Sequence, residues 1–295
     1  MLDMLYVAIF SFFKFLVKYL PTSWLNAIIN GLATIGYVLG KKHNKTARVN
    51  LDLAFGNRLN QNEKESIVKK CYQNLLHLIK DLIINQSISK EAFLNKVTIH
   101  NEHYYREAEA YKKGVIFLTA HYGNWEISSM SVGAKYGAIS VIGRRLDSPK
   151  MNAILENNRQ RFNVKLLEKK GAMRGILKAL NNGENVGLLV DQNTADSDGV
   201  LISFFGKKAR HTPAAAQFAK KTNSVIIPAF VTTNDNEHYD LTFYPPIFPH
   251  TNNESLEEQI QKQADITQYA IEQKPDEWFW FHRRWKNQYE ELYRS

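Results

Sequence analysis

A chain of 295 residues, 44% apolar and 23% charged, is long enough for one large domain with a full core and too apolar to be disordered. Its formal net charge of +9 suits an acidic partner. No zinc-finger spacing, aromatic RNP-type strand or long basic helix accompanies that charge, so the expected partners are anionic lipid and acidic carrier protein rather than nucleic acid. The single cysteine, Cys71, excludes a disulfide framework within the chain and a cysteine-built metal site.

The first element is the apolar, aromatic run MLYVAIFSFFKFLVKYL at 4–20, preceded by Asp3 and interrupted by Lys14 and Lys18. It only just reaches the ~17–25 residues that span a bilayer. Lys18 can snorkel to the interface; Lys14 is harder to place. No small-residue cleavage site follows, so it does not read as a removable signal. A second apolar run, 24–39, follows Pro21. Lys41, Lys42, Lys45 and Arg48 then gather, as suits an anionic cytoplasmic leaflet. Residues 1–40 are expected to anchor the chain to a membrane, spanning it once or lying in the interface, with 41–295 forming a single further domain.

Over 62–86, Ile67, Val68, Cys71, Leu75, Leu78, Ile79 and Leu82 recur at three and four and predict an amphipathic helix. From residue 97 short apolar runs alternate with helical patterns. The runs are 115–119, 138–142, 164–167, 186–190, 225–230 and 239–243; the helices are 125–135, 149–161, 171–181 and 213–222. Ser148-Pro149 and Thr212-Pro213 are good helix starts. A last helix fits 255–273, before an aromatic and basic tail. This alternation predicts an α/β fold, with a largely parallel central sheet flanked by helices.

The sequence has no G-x-S-x-G and no H-E-x-x-H. The stretch 199–208 has the wrong glycine spacing for a phosphate loop, and Lys208 stands where Ser or Thr should bind magnesium. What remains is VIFLTAHYGNWE at 115–126. A buried strand ends at Ala120, and His121 follows at the strand's carboxyl end, where α/β sheets place their ligand sites. Gly123 permits a tight turn, and Asn124 can cap the helix that carries Glu126. That junction can bring the Glu126 carboxylate onto the imidazole, fixing the tautomer and leaving the other ring nitrogen to take a proton from a hydroxyl. The acceptor alcohol itself would attack, with no enzyme nucleophile. The spacing alone is weak, since a chain with nine histidines has such a pair about once by chance. Arg144, Arg145, Arg159 and Arg161 follow and are suited to bidentate phosphate contacts. Asp191 ends the 186–190 strand, on the same sheet edge as His121 if the two strands are parallel. Trp278, Trp280 and Trp285, interleaved with Arg283 and Arg284, suit either a membrane interface or a core.

These pieces lie in an order that resembles the lipid A biosynthesis acyltransferases, the late acyltransferases of Gram-negative bacteria, from one end of the chain to the other. RVNLDLAF at 48–55 is similar to the family's R-x-N-L segment, and HYGNWE to its H-x4-E dyad. The 141–144 block ends in an arginine; NRQR at 158–161 resembles the R-x-R segment. VDQN at 190–193 with FFG at 204–206, Ile227-Pro228, and WFWFHRRWK at 278–286 complete the likeness. The resemblance implies acyl transfer from acyl carrier protein to a hydroxy-acyl chain of a glucosamine-disaccharide lipid, with a His121–Glu126 dyad. It implies Arg144, Arg159 and Asp191 as substrate-positioning residues. It implies no metal or organic cofactor, and a bacterial inner-membrane location with the catalytic part on the cytoplasmic side. A glycerolipid or other glycolipid acceptor, served by acyl carrier protein or acyl-CoA, is the nearest alternative. A lipid-binding scaffold without catalysis is the alternative of another class, and intact His121, Glu126 and Asp191 argue against it.

Overall fold

Four long helices open the chain in the computed structural model, which describes residues 2–143, 145–168, 171–249 and 254–294. They are α1 (Leu2–Tyr19), α2 (Thr22–Leu39), α3 (Lys41–Phe55) and α4 (Gln61–Ile84). The longest, α4, is started by a capping box: the Asn60 side chain accepts from the Glu63 amide, and the Glu63 carboxylate accepts from the Asn60 amide. Pro21 ends the first apolar run and lets α1 and α2 fold back. Phe10, Phe13, Leu25 and Ile29 then bury against Ile83 of α4. The opposite face of α1 stays open, with Leu5, Ile9, Phe12, Phe15 and Tyr19 each more than half exposed.

Of the two expected modes for residues 1–40, spanning the membrane or lying in its interface, the spanning one is not supported. At 1.5 Å per residue an 18-residue helix is ~27 Å long, short of a ~30 Å hydrocarbon layer. Lys14 and Lys18 lower the hydropathy of α1 further, and Asn26 and Asn30 that of α2. Among the described residues no helix is long and apolar enough to cross a membrane.

After α5 (Lys90–Leu94) the chain builds its sheet: β1 (Val97–His100), α6 (His103–Glu109), β2 (Ile116–Thr119), α7 (Trp125–Tyr136), β3 (Ile139–Gly143), α8 (Pro149–Gln160), β4 (Val164–Glu168), α9 (Ala172–Asn181) and β5 (Asn185–Leu189). A hairpin, β6 (Val200–Phe204) and β7 (Lys207–His211), interrupts it. There follow α10 (Ala214–Thr222), β8 (Ile226–Thr232), β9 (Tyr239–Phe243), α11 (Leu256–Gln273) and α12 (Glu290–Arg294). The seven-stranded sheet has the order β1-β9-β8-β2-β5-β3-β4. The pairs β1–β9, β8–β2, β2–β5, β5–β3 and β3–β4 are parallel and, among the described residues, only β8–β9 is antiparallel, so the largely parallel sheet is as expected.

Each predicted strand and helix is present within a residue or two of its expected ends. The sequence reading did not separate out β1, the short helices α5 and α6, the helix α3, or the β6–β7 hairpin. The hairpin turns through Phe205 and Gly206, both at positive φ. That is the two-residue geometry hairpins favour, but it lacks the Asn-Gly pair that usually announces it. The aromatic tail belongs to the core and not to a membrane interface. Trp278, Trp280 and Trp285 are buried with Phe204 and Phe205 in the layer on one face of the sheet.

Candidate active site

Parallel pairing of β2 with β5 sets the centre of the site. Thr119 lies opposite Leu189, and the Val190 amide donates to the Thr119 carbonyl at 3.1 Å. His121 and Asp191 each stand two residues past that last pair, so they emerge side by side at the carboxyl edge. The His121 ring Nδ1 lies 2.9 Å from Asp191 Oδ1, and the His121 backbone amide donates to Asp191 Oδ2 at 3.0 Å. The indole Nε1–H of Trp278 donates to the same Oδ2 at 2.8 Å. The Asp191 side chain is 3% exposed and that of His121 21%, so the carboxylate is enclosed while the ring keeps an open edge. On that edge the Gln192 side-chain nitrogen lies 3.4 Å from His121 Nε2. Burial works against the imidazolium, but the Asp191 charge and hydrogen bond, with a smaller contribution from Glu126, outweigh it and raise the His121 pKa above its ordinary value. Burial alone would raise Asp191. The neighbouring imidazole and the donors from His121 and Trp278 instead hold it well below the usual carboxylate range.

The carboxylate that orients the ring is therefore Asp191, and the expectation that Glu126 does so is corrected. Glu126, 10% exposed in its side chain, is taken by Arg159 from the last turn of α8. Arg159 Nε donates to Glu126 Oε2 at 2.8 Å, and Nη2 donates to Oε1. This side-on pairing is the geometry a guanidinium makes best. Gly143 at the end of β3 makes room for it, since a Cβ there would lie 3.2 Å from Arg159 Nη1. Asp191 was expected on the same edge as His121, but a direct bond between them is legible only from the register.

The loop between His121 and Glu126 is held from outside. Gly123 sits at φ +56, and a Cβ on it would lie 1.9 Å from the Val231 carbonyl oxygen, so no other residue fits. Its amide donates to the Glu277 carbonyl, and the Phe279 amide to the His121 carbonyl, both at 2.9 Å. Asn124 was expected to cap α7. Its side chain makes no cap bond and instead donates to Asp81 Oδ2 on α4 at 2.7 Å. Tyr239 donates to the same oxygen. Nothing in the sequence flags Asp81, which lies within an ordinary amphipathic pattern.

Two spaces meet at Glu126. A cavity of about 60 Å³ runs into the sheet between Phe117, Trp125, Val141 and Arg159, over Gly187. An apolar groove of about 790 Å³ lies between α1, α2, α4 and α8, lined by Phe10, Phe13, Leu78 and Leu82 among others. The groove has the size of sites that bury small molecules or chains. Ser148, which caps α8, is bonded to Asp3 of α1 at the groove's wall.

The remaining expected residues divide. Arg144 lies outside the described residues. Arg145 pairs with Glu168 at the surface. Arg161 donates to the carbonyls of Gln86 and Ile88, tying α8 to the loop after α4 rather than facing a substrate. The R-x-N-L segment is structural: Arg48 pairs with Glu65 at 2.6 Å, and the Asn50 amide donates to the carbonyls of Trp280 at 2.7 Å and His282 at 2.6 Å. Among the described residues no group of His, Cys, Asp and Glu is placed to hold a metal.

The family described as bacterial lipid A biosynthesis acyltransferase matches residues 1–287. A lipid A biosynthesis lauroyltransferase of Escherichia coli is 24% identical over 276 residues, 92% of this chain and 88% of its own. A lipid A biosynthesis acyltransferase of Haemophilus influenzae is 24% identical over 266 residues, 86% and 80%. A phosphatidylinositol mannoside acyltransferase of Mycobacterium tuberculosis is 23% identical over 119 residues, 39% and 37%. A crystal structure of a 1-acyl-sn-glycerophosphate acyltransferase from Thermotoga maritima overlaps 84% of this chain and 97% of its own at 14% identity and a TM-score of 0.39. With the family match running over nearly the whole chain, this protein belongs to the bacterial lipid A biosynthesis acyltransferases and is an acyltransferase.

Proposed function

We propose that the chain moves a fatty acyl group from acyl carrier protein to a hydroxyl of a lipid A precursor, with His121 as general base. The observation that carries this reading is the His121 ring, held at Nδ1 by buried Asp191, with Nε2 on the partly exposed edge beside the Gln192 side chain. Nε2 takes the proton of the acceptor hydroxyl as its oxygen attacks the thioester carbonyl. The tetrahedral intermediate collapses with loss of the carrier thiolate, and the imidazolium returns the proton to that sulfur. No acyl-enzyme forms. Asp191 fixes the tautomer and stabilises the imidazolium, as the carboxylate does in a Ser-His-Asp arrangement. Glu126 adds negative charge near the ring and holds the Arg159 guanidinium beside the reacting groups. The apolar groove that reaches Glu126 takes an acyl chain.

The exposed apolar face of α1, with Trp24, Ile35, Val38 and Leu39 of α2, lies in the lipid interface of the inner membrane, on its cytoplasmic side. Lys41 and Lys42 favour anionic headgroups there. Residues 41–295 form the catalytic unit. The partial likeness to a mannoside acyltransferase supports a second reading, in which the acceptor is another glycolipid.

The test is transfer of a labelled acyl chain from acyl carrier protein to a phosphorylated disaccharide precursor in detergent, for wild type and His121→Ala. Transfer by wild type and its near-complete loss in the folded variant are expected. Transfer that survives in His121→Ala would sink the mechanism. Activity only with acyl-CoA or a different acceptor would move the chain to the second reading.

A further inference from the structure

The segment 277–280 runs beside the loop that carries His121. Tyr122 and Trp278 form an antiparallel bridge, the Gly123 amide donates to the Glu277 carbonyl, and the Phe279 amide to the His121 carbonyl. This brings one particular tryptophan behind the site. Trp278 is 2% exposed and packs on Trp280 and Phe204, with ring centroids 4.5 Å and 6.0 Å away. A phenylalanine would supply part of that packing. What it would not supply is the indole N–H, which ends 2.8 Å from Asp191 Oδ2. The neighbouring Trp280 spends its N–H on the Pro275 carbonyl and touches no titratable group through it.

We infer that Trp278 is a positioning residue for the reaction: its indole N–H holds the Asp191 carboxylate, and through it sets the proton affinity of His121. This rests on His121 acting as the base. The Asp191 oxygens then divide their work. Oδ1 faces the ring nitrogen, while Oδ2 accepts from the His121 backbone amide and from Trp278. Losing the indole donor leaves the backbone bond in place, so the carboxylate stays aimed. It becomes a stronger base, however, because less of its charge is satisfied. A stronger base beside Nδ1 stabilises the imidazolium, so His121 must titrate at higher pH.

Of the other groups facing this pair, both histidines are held neutral by burial, and the charged ones are an arginine and a paired glutamate. Around Asp191 stand His211 at the end of β7 and His282 and Arg284 of the tail. Burial, with Arg284 nearby, pushes His211 down to about 3, and burial pushes His282 down to about 4, so both are neutral at pH 7. Arg284, lowered by burial to about 10, stays charged. Glu126 faces His121 from α7 and is paired with Arg159.

The experiment is the pH profile of acyl transfer by Trp278→Phe, between about pH 5.5 and 9, with folding monitored by circular dichroism. The expected result is an acid limb moved to higher pH by about half a unit, with a fall in kcat of up to about threefold on that limb. A tryptophan that only packs would lower the folded fraction and leave the limb in place. If Trp278→Phe does not fold, the benzothiophene analogue of tryptophan, which keeps the shape and lacks only the donor, is placed at 278 instead. An acid limb that is unmoved, or displaced to lower pH, overturns the inference. A failure of the base assignment is separate, since it would show as activity retained by His121→Ala.

Discussion

The two ends of the chain read alike and fold oppositely. The amino-terminal run interleaves Phe12, Phe13, Phe15 and Tyr19 with Lys14 and Lys18; the tail interleaves Trp278, Trp280 and Trp285 with Arg283 and Arg284. In α1 the helical repeat turns Phe13 inward and Phe12, Phe15 and Tyr19 outward, leaving Phe12 65% and Phe15 56% exposed. In the tail all three tryptophans and Arg284 are buried. The cations explain part of the difference. Lys14 donates to the Gln86 side chain, at 2.6 Å at the surface. Arg284 donates to the Arg210 carbonyl and lies with its guanidinium over the Phe204 ring, 5.0 Å from the centroid. A planar guanidinium can be enclosed by carbonyls and rings in a way an ammonium rarely is. One end thus offers an apolar surface, while the other forms the back wall of the site.

That comparison breaks most sharply at the point where the tail meets the chemistry. Asp191→Asn, which keeps the shape but not the charge, is expected to lower kcat about a thousandfold or more with the fold intact. A loss of less than about tenfold in steady-state transfer would detach the enclosed end from catalysis. Arg284→Met removes a buried donor set and is expected to destabilise the protein by about 1–3 kcal/mol in urea unfolding. Little or no change would mean that the apolar replacement packs as well as the arginine does.

Acid separates the ends in another way. Burial lowers His77 to about 4, His282 to about 4 and His211 to about 3, so the folded chain refuses protons that the unfolded chain binds near pH 6.5. Stability should fall as the pH drops from about 6.5 toward 4, because the unfolded state then holds more protons. His121, raised when folded, acts with the opposite sign: its contribution is complete below about pH 6.5 and is lost as the pH rises through its folded pKa. Urea midpoints measured across this range check the balance, and midpoints that climb toward pH 4 would contradict it. The smallest effect on the fold belongs to the amino-terminal face. Phe12→Ser with Phe15→Ser is expected to leave urea stability within about 0.5 kcal/mol. The same pair is expected to reduce co-sedimentation with anionic vesicles severalfold. Unchanged sedimentation would remove the proposed lipid contact.

Much of this protein follows from local pattern. The period of the apolar residues marks α4, and the alternation of apolar runs with helices marks the parallel sheet, because both report which backbone can bury those side chains. The same reading places His121 at a strand end and Gly123 in a turn, since few residues tolerate the φ of +56 found there. Partnership was decided by tertiary structure. Sequence nearness suggested Glu126 for His121, but a turn and the first residue of α7 lie between them. The register of β2 with β5 put Asp191, 70 residues away, against Nδ1 instead. Glu126 found its partner when α8 returned Arg159 across Gly143. Trp278 and Asp81 show no local signal, because what they do depends on the element packed beside them. Hydrophobic period and turn chemistry are properties of a few consecutive residues; a hydrogen bond between strand ends is a property of the assembled sheet.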